Sequence, residues 1–244
     1  MLRHSFILVL ATASLFISCH SEKHESKYMY YGLADALNEK DPQKVLRLTL
    51  AGSNLNSVPE EVKKFNNLID LDLSSNKLKT IPSWLSQMTK LERLNLRVNP
   101  IDTLLPTFFE MKNLTDIDLR DCKLNVVPIG FGQMKRLRSL NLGANNLEKL
   151  PNDFSELDSL SVLLIDLNKF KTIPKALFTL KSLENLHLYN NQIAEVPDSI
   201  SMLLNLSQLT IDNNCLTITQ FKHLQKLLPN CLMGEYDPSH NNCR

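Results

Sequence analysis

From Val45 onward the apolar positions of the chain fall into one frame that never slips. Leu68, Leu71, Leu73, Asn76 and Leu78 spell L-x-x-L-x-L-x-x-N-x-L, and the frame restarts at Leu91, Leu114, Leu137, Leu160, Leu183 and Leu206 after a first start at Val45. Each start lies 23 residues from the next, so eight units run in register. A fixed period of this length is the signature of a solenoid, in which each unit buries its apolar side against its neighbours. Leu71 and Leu73 alternate with polar residues, the period-two pattern of a short, half-buried strand. Eight such strands at identical spacing predict a stacked parallel sheet. Where each strand ends stands the column Ser53, Asn76, Asn99, Cys122, Asn145, Asn168, Asn191, Asn214. A short amide in that place can bond the backbone of the turn, which an apolar side chain cannot.

The second half of the unit repeats as faithfully. Pro59, Pro82, Pro128, Pro151, Pro174 and Pro197 hold one place in the frame, and in the unit starting at Leu91 that place is taken by Leu105 with the proline one later, at Pro106. Proline fixes φ and lacks a donor, so it ends the extended stretch and opens a turn or short helical segment. Apolar residues follow three and six positions later, as in Val62 and Phe65 or Phe154 and Leu157. They predict short helical turns with their apolar edge facing inward, and the repeat makes these Phe and Met residues core filler.

With both halves in view, the chain resembles the leucine-rich repeat family from Val45 to about Leu216, in its 23-residue, proline-marked subclass. The resemblance implies an α/β solenoid: a horseshoe with a concave parallel β-sheet and short helical turns on the convex side. The family tolerates cysteine at the asparagine position, as at Cys122. Residues 45–216 then hold eight repeats.

The flanks predict the remaining organisation. Arg3 and His4 precede an apolar run from Phe6 to Ile17, too short to span a bilayer but right for a signal-peptide core. With Ser18 and Cys19 after it, residues 1–18 look like a bacterial lipoprotein signal, cleaved before Cys19 and lipidated on it, although Phe16 departs from the usual aliphatic residue. Ordinary secretory cleavage after Ala13 and an uncleaved anchor are the alternatives, as is an intracellular signalling scaffold in which residues 1–27 are no signal. Residues 19–27 read as a polar tether. Residues 28–44 read as an N-terminal helical cap, with a helix over Tyr30 to Lys40 whose Tyr30, Leu33 and Leu37 share one side, stopped by Asp41-Pro42. A solenoid's first strand has an open edge and needs such a cover. Residues 217–244 read as a C-terminal cap helix and tail: Thr217 and Gln220 form a capping box, Ile218, Phe221, Leu224 and Leu228 the apolar stripe, and Cys231-Leu232-Met233 a possible last strand. An N-terminal cysteine-rich cap, usual in animal extracellular relatives, is missing, which favours the bacterial resemblance.

Composition narrows the function. With 27 basic against 26 acidic residues and a net charge of +1, there is no nucleic-acid or polybasic membrane footprint. Cys215, Cys231 and Cys243 allow one disulfide in an exported chain. The sequons at Asn113 and Asn205 fall at repeat positions. Six glycines, no H-E-x-x-H, no G-x-S-x-G and no paired C-x-x-C leave no catalytic, cofactor or metal constellation. The reading is therefore non-enzymatic, with no cofactor and a protein or peptide ligand.

The frame also names the candidate face. Outward strand positions include Asp70, Asp72, Arg93, Arg97, Asp116, Asp118, Arg120 and Asp121, a charged strip in which Asp70, Arg93 and Asp116 alternate in sign on neighbouring strands. It reads either as a self-neutralising ladder or as a polar recognition strip. Ser139, Asn141, Gly143 and Ala144 then leave a shallow floor. Beyond them Val162, Leu164, Leu167, His187 and Tyr189 place apolar and aromatic groups where the frame faces solvent, the look of a binding hot spot. The expected partner-binding residues are Arg93, Arg97, Asp116, Asp118, Arg120, Val162, Leu164, Leu167, His187 and Tyr189.

Overall fold

The computed structural model describes residues 28–234 and 236. The signal segment with Cys19, the tether and Cys243 lie outside the described residues. Among the described residues, β1 (Met29–Tyr31), β2 (Arg47–Thr49), β3 (Asp70–Asp72), β4 (Arg93–Asn95), β5 (Asp116–Asp118), β6 (Ser139–Asn141), β7 (Val162–Leu164), β8 (Asn185–His187), β9 (Gln208–Thr210) and β10 (Leu232–Met233) form one sheet. Strand order equals chain order, and every pair is parallel. Leu48, Leu71, Leu94, Ile117, Leu140, Leu163, Leu186 and Leu209 are register partners in turn and all buried. No strand exceeds three residues, so each owes its existence to the apolar stack rather than to itself.

The asparagine column does more than hold its own turn. Asn76 Nδ2 donates to Leu73 O at 2.8 Å within its unit and to Leu50 O at 2.9 Å in the preceding one, while its Oδ1 accepts from Leu55 N at 3.0 Å. Asn99, Asn145, Asn168, Asn191 and Asn214 repeat the pattern. Cys122 keeps the donor half, its Sγ reaching Leu96 O at 3.3 Å. Just before the ladder, Gly52, Ser75, Val98, Asp121, Ala144, Leu167, Asn190 and Asn213 all have φ between 51 and 66°, so every unit turns out of its strand through a left-handed residue at this place, and the units with Ser53 and Cys122 add a second at Asn54 and Lys123.

The helical turns of the opposite side are 3-10 segments, Glu60–Lys64, Ser83–Gln87, Pro106–Glu110, Phe131–Gln133, Asn152–Glu156, Lys175–Thr179 and Asp198–Met202. Pro59, Pro82, Pro151, Pro174 and Pro197 cap their starts, and Pro106 enters at the first position. After Pro128 the segment starts late because Gly130 intervenes at φ 149°, and a Cβ there would lie 2.2 Å from the Phe109 ring. Phe108, Phe109, Phe131 and Phe154 pack with neighbouring centroids 5.1–6.2 Å apart.

The N-terminal cover differs from the expected helix. Tyr30 lies in β1, paired with Leu48, and Gly32 at φ 122° breaks the segment before α1 (Leu33–Leu37). The open edge is thus met by a strand, which satisfies the ladder groups of β2 as a helix could not. Ala36 is the buried residue of α1, and Leu37 is 41% exposed. At the other end α2 (Ile218–Leu227) carries both bonds of the Thr217–Gln220 capping box. Phe221, Leu224 and Leu228 are buried, but Ile218 in the first turn is exposed. Cys215 is disulfide-bonded, while Cys122 and Cys231 are free thiols, neither of them its partner. Burial pushes them up to about 12 and about 11 respectively, which keeps both protonated and unreactive.

Candidate binding face

Three rows of side chains make the face opposite the 3-10 turns. The first and third strand positions give two rows, and the residue two places after each strand gives a third. Asp70 and Arg93, partners in the first row, form an ion pair with Nε–Oδ2 at 3.0 Å. The next member, Asp116, is held by Thr115 Oγ1 at 2.7 Å, and burial lifts its acid above the ordinary carboxylate range. The expected ladder is therefore one pair followed by a carboxyl tied to its own neighbour.

The second row supports turns. Asp72, Asn95, Asp118 and Asn141 each accept, through Oδ1, the backbone N–H two residues on: Ser74, Arg97, Arg120 and Gly143, at 2.8–3.1 Å. Asp118 is only 4% exposed and its acid is raised by burial. This corrects its reading as a partner-facing charge: its carboxylate is committed to the Arg120 amide. The signal was in the sequence, as four consecutive Asp or Asn residues at one frame position, because such side chains bond backbone two residues ahead.

The third row corrects the shallow floor. Arg120 Nη1 reaches Asp166 Oδ2 at 2.7 Å, two units away. It passes over Gly143, where a Cβ would stand 2.5 Å from Nη1 and 2.8 Å from Asp166 Oδ1. The small residues leave room for a bridge. Arg97 remains exposed on this row.

At the far end, the expected apolar patch is mostly packed away. Leu164 is 5% exposed between its register partners Asn141 and His187. Val162 is half-buried. Leu167 serves as the left-handed turn residue of its unit, with its N–H bonded to Tyr189 O. Tyr189 is the exposed member, at 40%, and its hydroxyl accepts from Asn213 Nδ2 at 2.9 Å. His187 is 7% exposed and its Nε2 has no hydrogen-bond partner; Thr210 Oγ1 beside it and Asn213 Oδ1 are likewise buried and unpaired. Burial holds the imidazole below its ordinary pKa, with Asp166 acting the other way. No sequence pattern marks these unpaired atoms, since pairing depends on rotamers.

So the structure brings Leu164, His187 and Tyr189 together on β7 and β8 and their exits. Arg93 on β4 lies four strands from His187, roughly 20 Å at about 4.8 Å per strand. The charged strip and the aromatic end are two places on one face.

Comparison with known proteins assigns the repeats. A leucine-rich repeat family model matches residues 43–101 and 112–170, and a second matches 182–203. The chain belongs to the leucine-rich repeat family. Among solved structures the leucine-rich repeat fold is shared with an internalin C2 from Listeria monocytogenes, at 21% identity and TM-score 0.67 over 79% of this chain and 81% of that one. A leucine-rich repeat protein of Leptospira interrogans aligns at 27% identity and TM-score 0.57, over 80% of this chain and 62% of that one. TLR13, solved as a complex with ssRNA13, aligns at 29% identity and TM-score 0.62, over 70% of this chain and 25% of that one. None of the curated proteins matches the chain.

Proposed function

We propose that this leucine-rich repeat chain is a non-enzymatic binding module, exported and lipid-anchored at Cys19, that captures a protein or peptide on the open face of its sheet. The observation that carries this reading is the contrast between the two sides of the same strands. One side is uniformly apolar and buried, whereas the other presents rows of mostly polar side chains, interrupted by Val162 and Leu164, with an exposed aromatic at Tyr189. An aromatic on a polar, ordered surface is what binding hot spots use. Export is supported by the apolar run Phe6 to Ile17 ahead of Cys19 and by the disulfide at Cys215, a bond that persists in oxidising compartments. Among the described residues no helix is long and apolar enough to cross a membrane. Lipid on Cys19 would supply the attachment.

The test is crosslinking capture from native membranes with wild type and Tyr189→Ala, read by mass spectrometry. Leu164, being packed, is a poor probe, because its substitution would disturb the fold. Loss of Tyr189 is expected to weaken capture about 30-fold, the scale of a hot-spot aromatic, at unchanged melting temperature, with crosslinks mapping to the sheet face. The N-terminal peptide should begin at Cys19 with the mass of a lipid. Crosslinks confined to the convex side would end the binding half of the proposal, and an unmodified or uncleaved N-terminus the export half.

A further inference from the structure

Between the ladder residue of each unit and its 3-10 segment runs a loop. The five loops 77–82, 100–105, 123–130, 146–151 and 169–174 lie in turn along one flank of the solenoid. Asn146 N–H bonds Leu124 O and Lys169 N–H bonds Leu147 O, both at 2.8 Å, so neighbouring loops are tied together. These five hold Lys77, Lys79, Lys123, Lys149, Lys169 and Lys171 against two carboxylates, Asp102 and Glu148. All six lysines are exposed, and among the described residues none is ion-paired. The loops on either side, 54–59 and 192–197, contain no lysine. A net charge of +1 for the whole chain hides this concentration.

In the middle loops three large apolar residues face solvent: Leu105 is 44% exposed, Val126 61% and Ile129 79%. The repeat does not require them, since Thr103 and Lys149 hold the place of Val126 in the neighbouring units, and Pro106 and Asn152 that of Ile129. Ile129 is also fixed in place. The N–H groups of Gly130 and Gly132 both bond Asp153 Oδ2, at 2.7 and 3.1 Å, and the Phe109 ring fills the space beside Gly130. Apolar groups held outward between lysines complement the surface of an anionic bilayer, whose headgroups meet the cations and whose acyl boundary meets the aliphatic chains. The cations of these loops are all lysine, whereas Arg93, Arg97 and Arg120 lie on the sheet face. Lysine is a hydrated point charge, suited to a layer of mobile headgroups; the fork of arginine suits fixed acceptors. The three apolar residues are aliphatic, so they offer no ring on which a nucleic-acid base could stack.

We propose that this flank rests on an anionic phospholipid surface, with Leu105, Val126 and Ile129 in the headgroup layer and the lysines around them. The geometry rests on the lipid-anchor reading above. Nine residues, 19–27, join Cys19 to Tyr28 and span at most about 30 Å, so an anchored solenoid stays beside the bilayer with one flank toward it. Each lysine brought to such a surface multiplies binding roughly fivefold. Lying on this flank leaves the sheet face open to a partner.

The experiment is acetylation of lysines by an amine-reactive ester, read by mass spectrometry on wild type purified from native membranes. The protein is placed in vesicles of phosphatidylcholine alone or mixed equally with phosphatidylglycerol. In the mixed vesicles the six flank lysines should react about tenfold more slowly, while Lys64, Lys112 and Lys181, exposed elsewhere on the solenoid, keep their rates. Val126→Ser with Ile129→Ser, both at exposed positions, should restore most of the reactivity without detaching the chain from the vesicles. Equal labelling of all lysines in both vesicles would overturn the flank whether or not Cys19 carries lipid. Equal protection by polyglutamate or single-stranded RNA in the absence of lipid would also overturn it, because charge alone would then be read. Protection of the six lysines in a chain without lipid on Cys19 would support the flank and end the anchor reading instead.

Discussion

Val98 holds a conformation that its side chain resists. It is β-branched, exposed and at φ 56°, in a position where the other units use Gly, Ser, Asp, Ala, Leu or Asn. Left-handed backbone costs an ordinary L-residue about 1–2 kcal/mol, and asparagine less. Val98→Asn should therefore raise the unfolding free energy by about 1 kcal/mol in urea titrations, since little packing is lost; a fall would show that the methyls are needed. His187 makes a different statement. Burial lowers its pKa, so as pH falls the unfolded chain takes up the proton first, beginning near the ordinary value of about 6.5. The ring's contribution is complete above that pH and is lost toward its folded-state titration. Asp116 and Asp118 run the other way: their raised pKa values mean that stability falls as pH climbs from the ordinary carboxylate range through their folded values. Wild type should lose stability on acidification just below neutrality, and His187→Gln should lose less. Parallel curves for the two proteins would refute the assignment.

At the scale of the element, the frame reveals which residues are interior but not how the outward ones are spent. Leu71 and Leu73 announce a strand by alternation, and the prolines announce where it ends; the strands and the 3-10 turns sit where those residues put them. Leu164 and Asp118 have the same outward register as exposed residues, yet crowding along the row buries them. The third strand position is half-buried in β2 to β4 and buried from β5 to β8. Tyr30 lies in a strand rather than the expected helix because three apolar residues at helical spacing look alike whether or not Gly32 interrupts them. Nor does any local pattern join Arg120 to Asp166, 46 residues on. That bridge makes a test of its own. Gly143→Ala should displace the guanidinium and lower stability by about 1 kcal/mol, a modest sum for a partly exposed pair, and should cost much less in a chain already carrying Arg120→Met. Additive losses in the double variant would mean that Gly143 answers to something else.

Across the whole molecule, the contacts that matter run from one unit to the next. Asn145 accepts from Cys122 and Leu124 N–H groups and donates to Leu119 and Leu142 carbonyls. Asn145→Ala would leave several of these buried groups unpaired, at about 1–3 kcal/mol each, so a loss of at least about 3 kcal/mol is expected. In a solenoid that loss should stay near its origin. Amide exchange should accelerate most around Leu119 and Leu142, and least near Leu48 and Leu209; uniform acceleration would mean that the solenoid opens as one body. The asparagine bonds also have a direction, because each side chain reaches back 21 to 26 residues and never forward to the following unit. On a ribosome adding about 5–20 residues per second, a newly made turn therefore waits about one to five seconds for the asparagine that completes it. An asparagine repeat is finished by its successor, and beyond the last asparagine Tyr236 also reaches back, its hydroxyl bonding the Leu216 carbonyl at 3.2 Å.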